Sequence, residues 1–264
     1  MEQFAHFLQT ADIWSPEMLA ILIGTGFVVG FINTIAGLAS AISYALFMAM
    51  GMPVNIANGT TRPGVLLLFL INSILFKKAG VLPVRTSIRV GIPIALGSFA
   101  GALLATYLVP HIFEWIMACT LPILASLLFI DTRSVKVAPI GEEANVTPVK
   151  FFIFILIGFY GGFTHAGVGV LIIFGAVFLL GVDLLRANAI KQFAVVIYTP
   201  IALTVFIMND MINWPVALIY AVGNVAGGMW GSRVSIRKGS KFIRWSLTIC
   251  VAIISFWLIY KQFP

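Results

Sequence analysis

The chain has 264 residues, of which 61% are hydrophobic and only 9% are charged, and its mean hydropathy is +1.07. An average soluble domain carries about 25% charged residues, so this composition excludes a soluble globular protein and indicates a polytopic membrane protein. The net charge of +7 does not indicate a nucleic-acid partner, because the basic residues fall where membrane orientation already requires them. We expect the two cysteines to pack as small apolar groups rather than to form a disulfide.

Apolar stretches follow one another along the chain, and a helix needs about 20 apolar residues to span a bilayer. They predict an all-α membrane protein with segments near 17–36, 38–51, 61–76, 87–108, 112–130, 150–166, 168–181, 190–208, 213–232 and 242–260. The second and seventh segments are short, and each follows its predecessor through a glycine-bearing break without a hydrophilic loop. We therefore predict that each half opens with a hairpin of broken or re-entrant helices.

The second half of the chain weakly repeats the first half. Residues 26–33 align with residues 158–165, an offset of 158 − 26 = 132 residues, and both stretches begin with Gly-Phe. With small gaps the same register pairs further landmarks: Asn58 with Asn188, Gly97 and Gly101 with Gly223 and Gly227, and Cys119 with Cys250. The predicted organisation is a first membrane repeat (1–130), a cytoplasmic linker (131–149) and a second membrane repeat (150–264).

The charges of the loops do not repeat with the landmarks. Residues 77–89 contain four Lys or Arg, whereas the equivalent loop at 209–215 contains only Asp210 as a charged residue. In the next pair of loops the contrast is reversed, because residues 107–114 contain no Lys or Arg and residues 233–244 contain five. Because basic loops stay in the cytoplasm, equivalent loops are predicted on opposite sides of the membrane, which defines two inverted-topology repeats. This topology places fourteen of the sixteen Lys and Arg inside, leaves Arg62 and Lys261 outside, and makes both termini extracytoplasmic.

The predicted membrane interior contains polar groups but no acids. All nine Asp and Glu fall in termini, loops or segment ends, which disfavours a Na⁺ site, a carboxylate proton relay and a cationic substrate. A helix that starts inside the membrane instead presents free N–H groups and a positive dipole end to an anion. The predicted substrate-binding residues lie at the breaks and at the starts of the third segments: Asn33, Thr34, Gly37, Asn58, Arg62, Tyr160, Thr164, His165, Gly167, Lys191 and Gln192.

Several of these residues have two interpretations. Arg62 and Lys191 either guard the two mouths of a pathway or extend to lipid headgroups. Glycines in membrane helices often serve close packing, and His165 is either a ligand or an interior histidine with satisfied hydrogen bonds. The sequence contains no His-Glu-x-x-His, no Gly-x-Ser-x-Gly and no paired deep carboxylates, so we expect neither an enzyme nor a cofactor.

Three motifs resemble the sulfite exporter (TauE/SafE) family of bacterial membrane transporters: residues 30–37, residues 58–60 and residues 158–163. The resemblance covers nearly the whole chain. It implies a location in the bacterial inner membrane and a cargo such as sulfite, thiosulfate, sulfoacetate or another organosulfonate. The family's glycine run after the first motif and its Gly-Thr-Asn-Lys-like entry to the third segment are both altered here, at residues 37–40 and 59–62.

Together the sequence predicts a secondary transporter that binds a small sulfur-containing anion near the bilayer midplane and works by alternating access. A carrier or channel for another small anion, such as a carboxylate, is the alternative, and an intramembrane enzyme is a weaker one. Uniport and proton coupling through His165 are both open, as is the oligomeric state. The predicted partners are the anion and the lipid bilayer.

Overall fold

A computed structural model describes the backbone of residues 2–127 and 146–260, and the side chains of residues 6–124, 126–127 and 146–246. Most of the predicted linker, the Cys250 side chain and Lys261 lie outside these residues. Within them all regular structure is α-helical: α1 Glu2–Thr10, α2 Pro16–Ile35, α3 Ser40–Ala49, α4 Val54–Lys78, α5 Val84–Tyr107, α6 Pro110–Leu127, α7 Pro148–Phe163, α8 Val168–Leu180, α9 Leu184–Met208 and α10 Trp214–Tyr260.

The lengths and surfaces of the helices suit a bilayer. Helices α2, α4, α5 and α9 are long and apolar enough to cross a membrane. Helix α10 is longer still, but Gly239 has φ 68° and ψ −164°, which divides it into two helical pieces. Large apolar side chains face outward, as Leu96 and Phe99 of α5 do with exposed fractions of 59% and 52%. The prediction of an all-α polytopic membrane protein is therefore confirmed.

Two helix breaks interrupt the bundle, between α2 and α3 and between α7 and α8. Each break contains a glycine in the left-handed region that favours this residue, Gly37 with φ 80° and Gly167 with φ 83°. The Asn33 side chain closes the first break, because its Oδ1 accepts the Ala39 N–H at 3.0 Å and its Nδ2 donates to Ser40 Oγ at 2.7 Å. Both breaks are buried, so the chain passes from one helix to the next inside the protein.

Close packing joins α2 to α10 and α7 to α5. Added Cβ atoms at four glycines would collide with backbone carbonyl oxygens of the facing helix: Gly97 with Ile155, Gly101 with Phe159, Gly223 with Ile23 and Gly227 with Phe27. These glycines therefore permit backbone contact between helices, which is their packing role in membrane proteins.

Turns in the first half recur at a constant distance in the second. Positive φ angles occur at Gly37 and Gly167, which are 167 − 37 = 130 residues apart, and the same separation relates Gly51 to Gly181 and Gly80 to Asp210. Helices α4 and α9, which lie between the second and third of these turns, both have 25 residues and contact each other. Three turns with a positive φ thus recur at the same separation in the two halves.

The starts of α4 and α9 differ from the prediction. Helix α4 begins at Val54 rather than near 61, and α9 begins at Leu184 rather than near 190. The apolar pattern misses these first turns because their polar side chains, such as Asn58, are buried against other helices rather than exposed to lipid. Arg62 and Lys191 consequently lie about two turns inside their helices, not in exterior or cytoplasmic loops.

Candidate functional site

Lys191 of α9 holds the carbonyl end of α2. Its Nζ donates to the carbonyl oxygens of Asn33 at 2.9 Å and Thr34 at 2.8 Å. The neighbouring Gln192 Nε2 donates to Thr34 O at 3.0 Å and to Asn188 Oδ1 at 3.1 Å. The last carbonyls of a helix lack partners within the helix and carry the negative end of its dipole, so a cation there is favourable. Helix α9 of the second half thereby caps α2 of the first.

Asn72 of α4 completes this polar group. Its Nδ2 donates to Thr34 Oγ1 at 2.9 Å and to Gln192 Oε1 at 3.2 Å, while the Thr34 hydroxyl donates to Gly30 O at 2.8 Å. We refer to the following six buried residues as the Lys191 cluster: Asn33, Thr34, Asn72, Asn188, Lys191 and Gln192.

Arg62 of α4 holds the carbonyl end of α7 in the same manner. Its Nη2 donates to Gly162 O at 2.6 Å and to Asn58 Oδ1 at 3.1 Å, and Asn58 Nδ2 donates to Phe163 O at 2.8 Å. The guanidinium carbon also lies 4.5 Å from the centre of the Phe206 ring, a cation–π arrangement. Here a helix of the first half caps a helix of the second, so the two breaks are secured reciprocally.

Tyr44 of α3 connects the Arg62 and Asn58 side chains to the break between α7 and α8. Its hydroxyl donates to Asn58 Oδ1 at 2.7 Å and accepts the backbone N–H of His165 at 3.1 Å. The Thr164 hydroxyl donates to Met117 Sδ at 3.0 Å and accepts the Ala166 N–H at 3.3 Å. The Arg62 cluster denotes these four buried residues: Tyr44, Asn58, Arg62 and Thr164.

Tyr160 supports the same break from its rim. Its hydroxyl donates to Ala166 O at 2.9 Å, and its side chain is half-buried, whereas all the other predicted site residues are buried. The bond fixes the segment that leads from α7 to α8. In this structure Tyr160 therefore orders the break through the backbone.

His165 links the two clusters. The Lys191 Nζ lies 5.7 Å from the centre of the Phe69 ring, and the Phe69 ring centre lies 6.0 Å from that of His165. His165 Nδ1 shares a 2.8 Å hydrogen bond with the Tyr198 hydroxyl, and its backbone N–H bonds Tyr44. An unbroken path of buried contacts thus runs from one buried cation to the other.

Two helix N-termini meet between the clusters. Helices α3 and α8 both begin at a break without a side-chain cap on their first turn. The segment before α3 contacts the first turn of α8, because a Cβ built on Gly37 would lie 2.8 Å from Gly169 Cα. The positive ends of two helix dipoles therefore point to the region that already holds two cations, which favours a negatively charged ligand.

Neither buried cation has an acidic partner. Arg62 and Lys191 are 0% exposed, and within the described part of the chain neither contacts a carboxylate. Carbonyl oxygens satisfy hydrogen bonds but carry no net charge, so the described residues supply no negative charge to balance either basic side chain in a low-dielectric interior. The described residues also contain no group of His, Cys, Asp and Glu able to hold a metal ion. The arrangement suits a small anion.

The structure gathers the predicted residues into one interior region, with two differences from the prediction. Arg62 and Lys191 neither guard the pathway mouths nor extend to headgroups, because both are fully buried at the break of the opposite half. Tyr44, Asn72 and Asn188 belong to the clusters but are missing from the predicted set. Asn188 is the repeat partner of Asn58, so the repeat contained the signal for it, whereas nothing in the sequence distinguishes Tyr44.

An all-α bundle with a lipid-facing apolar surface and a buried, positively charged centre defines a polytopic membrane protein of the transporter class. The family model for the sulfite exporter TauE/SafE matches residues 22–258. The chain therefore belongs to the TauE/SafE family and is a membrane transporter.

Curated relatives agree with this class. A probable membrane transporter protein ORF9 from Sinorhizobium sp is 28% identical over 88% of this chain and 89% of its own length. A probable membrane transporter protein from Haemophilus influenzae is 28% identical, over 93% of this chain and 96% of its own length. The probable membrane transporter protein YfcA of Escherichia coli is also 28% identical, with 94% and 92% covered. No solved structure matches the chain.

Proposed function

We propose that the protein is a secondary transporter of a small sulfur-containing anion, with sulfite, thiosulfate, sulfoacetate and other organosulfonates as the candidate cargoes. The observation that carries the proposal is the pair of buried cations, Arg62 and Lys191, which no carboxylate contacts among the described side chains of residues 6–124, 126–127 and 146–246. An anion bound between them offsets the desolvation of both charges. The family description, sulfite exporter, supports a sulfur oxyanion or sulfonate.

The anion binds near the bilayer midplane, between the two helix breaks. Lys191 uses two of its three N–H donors on carbonyls, and Arg62 Nε and Asn188 Nδ2 are buried without a hydrogen-bond partner among the described residues. These N–H groups, with the first-turn amides of α3 and α8, are donors for the several oxygens of a sulfite or sulfonate group. Asn33 and Thr34 contribute by shaping the break, because their side chains already bond protein atoms.

Transport proceeds by alternating access between two inverted repeats, residues 1–130 and 150–264, joined by a cytoplasmic linker at 131–149. The recurring turns and the reciprocal capping of α2 and α7 support two equivalent halves. The basic loops support opposite orientations, with both termini outside the cytoplasm and the protein in the bacterial inner membrane. Because each cation of one half secures a break of the other, movement of the halves alters both ends of the site together.

Thermal unfolding of the purified protein with a panel of ligands tests the cargo. A ligand that binds only the folded state raises stability by RT ln(1 + [L]/Kd), so a weak ligand at millimolar concentration registers. We expect stabilisation by sulfite, thiosulfate, isethionate or sulfoacetate, and none by sodium or potassium chloride. The variant Lys191→Met, which keeps the length of the side chain and removes its charge, is expected to lose the shift.

The panel also contains lactate and acetate. Stabilisation by these carboxylates alone would replace the proposed cargo with an organic acid while keeping an anion site. Stabilisation by cations alone, or an undiminished shift in Lys191→Met, would contradict an anion site at the buried cations.

A further inference from the structure

Helices α4 and α10 meet along an interface that begins beside Gly64 and Asn224. A Cβ on Gly64 would lie 3.3 Å from Asn224 Nδ2, and one on Gly228 would touch the Leu68 side chain. Contacts advance in the same direction along both helices, so the helices run parallel here. Asn72, one turn after Leu68 on α4, is the next residue along the α4 face. Ser232 and Ser235, four and seven residues after Gly228, continue the α10 face. We call this interface the α4–α10 seam.

Polar atoms accumulate in this seam without hydrogen-bond partners. Both amide atoms of Asn224, Oδ1 of Asn72 and the hydroxyls of Ser232 and Ser235 bond no other atom among the described residues. All four side chains are at most 1% exposed. Most buried polar groups in proteins have partners, so a run of orphans on one interface points to partners that the protein itself does not supply.

The equivalent interface in the other half, between α9 and α5, differs. Ala202 of α9 stands at the position of Asn72, while Ser98 and Thr106 of α5 stand at the positions of Asn224 and Ser232. The Ser98 hydroxyl donates to Ala95 O at 2.8 Å, and the Thr106 hydroxyl to Leu103 O at 2.9 Å. At these equivalent positions, the side chains without hydrogen-bond partners therefore lie in the α4–α10 seam, whereas the hydroxyls of the α9–α5 interface are bonded.

The seam joins the buried site to a basic surface. Midway along the seam, about two turns after Gly64 on α4, Asn72 bonds Thr34 and Gln192 of the Lys191 cluster. At the end of the seam opposite Gly64, α4 finishes at exposed Lys77 and Lys78, about 9 Å along the helix from Asn72. Exposed Arg233 and Arg237 follow on α10, past Ser232. Such a line of polar groups from a buried cation to exposed cations suits the passage of a small anion.

We infer that the α4–α10 seam is the water-lined route by which the anion passes between the Lys191 cluster and the basic face of the protein. The inference rests on the proposed transport function and adds the path to it. Along this route the Ser232 and Ser235 hydroxyls donate to water or to oxyanion oxygens, and Asn72 Oδ1 accepts from water. The Asn224 amide offers further donors to water on the side of Asn72 that faces away from the basic residues. The α9–α5 interface stays closed to water.

Cysteine labelling tests this route without knowledge of the cargo. In a chain with Cys119→Ala and Cys250→Ala, single cysteines replace Ser232 or Ser235, a nearly isosteric change. Matched controls are Ala102→Cys and Ala202→Cys, both at 0% exposed positions of the counterpart interface. The charged reagent 2-sulfonatoethyl methanethiosulfonate is applied to both faces of permeabilised membranes. We expect the seam cysteines to react at least about tenfold faster, because packed positions react only through local opening.

Equal rates at the four positions, faster reaction at the controls, or no reaction at either seam position would overturn the route. Each variant is also checked for monodisperse elution in detergent, so that labelling of unfolded chains is recognised. Absence of anion flux with fast seam labelling would instead count against the proposed cargo and leave a water-filled seam. The two failures are therefore distinguishable.

Discussion

At the residue scale, Arg62 and Lys191 both donate to carbonyl oxygens at the end of a helix, but they do so with different cationic groups. Arg62 spreads its donors over the carbonyls of α7 and Asn58, whereas Lys191 places a compact ammonium on two carbonyls of α2. Gln192 also stabilises the end of α2, since its Nε2 donates to Thr34 O. The cap on α2 therefore does not depend on the charge alone.

The first prediction follows for Lys191→Met. Substrate uptake should fall by more than about tenfold, because the charge that balances the anion is lost. Folding should survive, since Gln192 keeps one cap bond and a buried uncompensated charge has been removed. Initial uptake rates in proteoliposomes, normalised to incorporated protein, measure the effect. Lys241→Met, at an exposed position, is the matched control and should retain the wild-type rate; a normal rate in Lys191→Met would remove Lys191 from the site.

A second prediction concerns the Tyr44 hydroxyl. Tyr44→Phe leaves the His165 N–H without its partner in the protein, and an orphaned buried donor costs about 1–3 kcal/mol. We expect a lower free energy of unfolding and slower transport. Tyr107→Phe, at a side chain 80% exposed, should change neither. Equal stability of the two variants in denaturant titration would show that Tyr44 does not hold the break.

At the element scale, the helix breaks depend on backbone contact. Gly37 combines a positive φ with contact against Gly169, whereas Gly80 has a comparable φ of 71° and no atom within 4 Å of an added Cβ. Substitutions at Gly37 and Gly80 can therefore be compared to separate the cost of backbone strain from the cost of steric collision.

Gly80→Ala is expected to cost about 1–2 kcal/mol, the strain of a left-handed L-residue. Gly37→Ala should cost clearly more, because its Cβ would also force the two breaks apart. Thermal unfolding temperatures and the yield of monodisperse protein report the difference. Equal losses in the two variants would mean that the Gly37–Gly169 contact does not stabilise the fold.

The breaks also show what the sequence could predict about elements. Short apolar segments next to Gly37 and Gly167 indicated the interruptions, because a glycine that joins two apolar segments without a hydrophilic loop is typical of a helix that breaks inside the membrane. The true starts of α4 and α9 were missed, since hydropathy measures lipid contact and these turns contact other helices. Polar first turns buried against protein are invisible to a one-dimensional apolar pattern.

At the scale of the whole molecule, the all-α bundle followed from composition, whereas the reciprocal capping did not. The sequence indicated that Asn33 lies at a break and predicted Arg62 at the start of the third segment, but only packing decides that a cation of one half meets the carbonyl end of the other. Contacts between residues 62 and 162 or 34 and 191 depend on which helices become neighbours. No local spacing encodes that choice.

Opposite orientation of the halves is a testable property of the whole chain. Lys78 and Met208 are the last residues of the equivalent helices α4 and α9, and both are exposed. In the cysteine-free chain, a membrane-impermeant reagent added to intact cells should label Met208→Cys and not Lys78→Cys, and everted vesicles should reverse the pattern. Labelling of both from the same face would exclude inverted repeats.

The most direct measurement of the central claim is counterflow of radiolabelled sulfite and thiosulfate in proteoliposomes. A carrier with a buried anion site should give uptake that saturates with external anion and accelerates when the same unlabelled anion is inside. Lys191→Met should abolish this acceleration. Uptake that neither saturates nor responds to internal anion, or no uptake of any sulfur anion beside measurable uptake of a carboxylate, would contradict a carrier for small sulfur-containing anions.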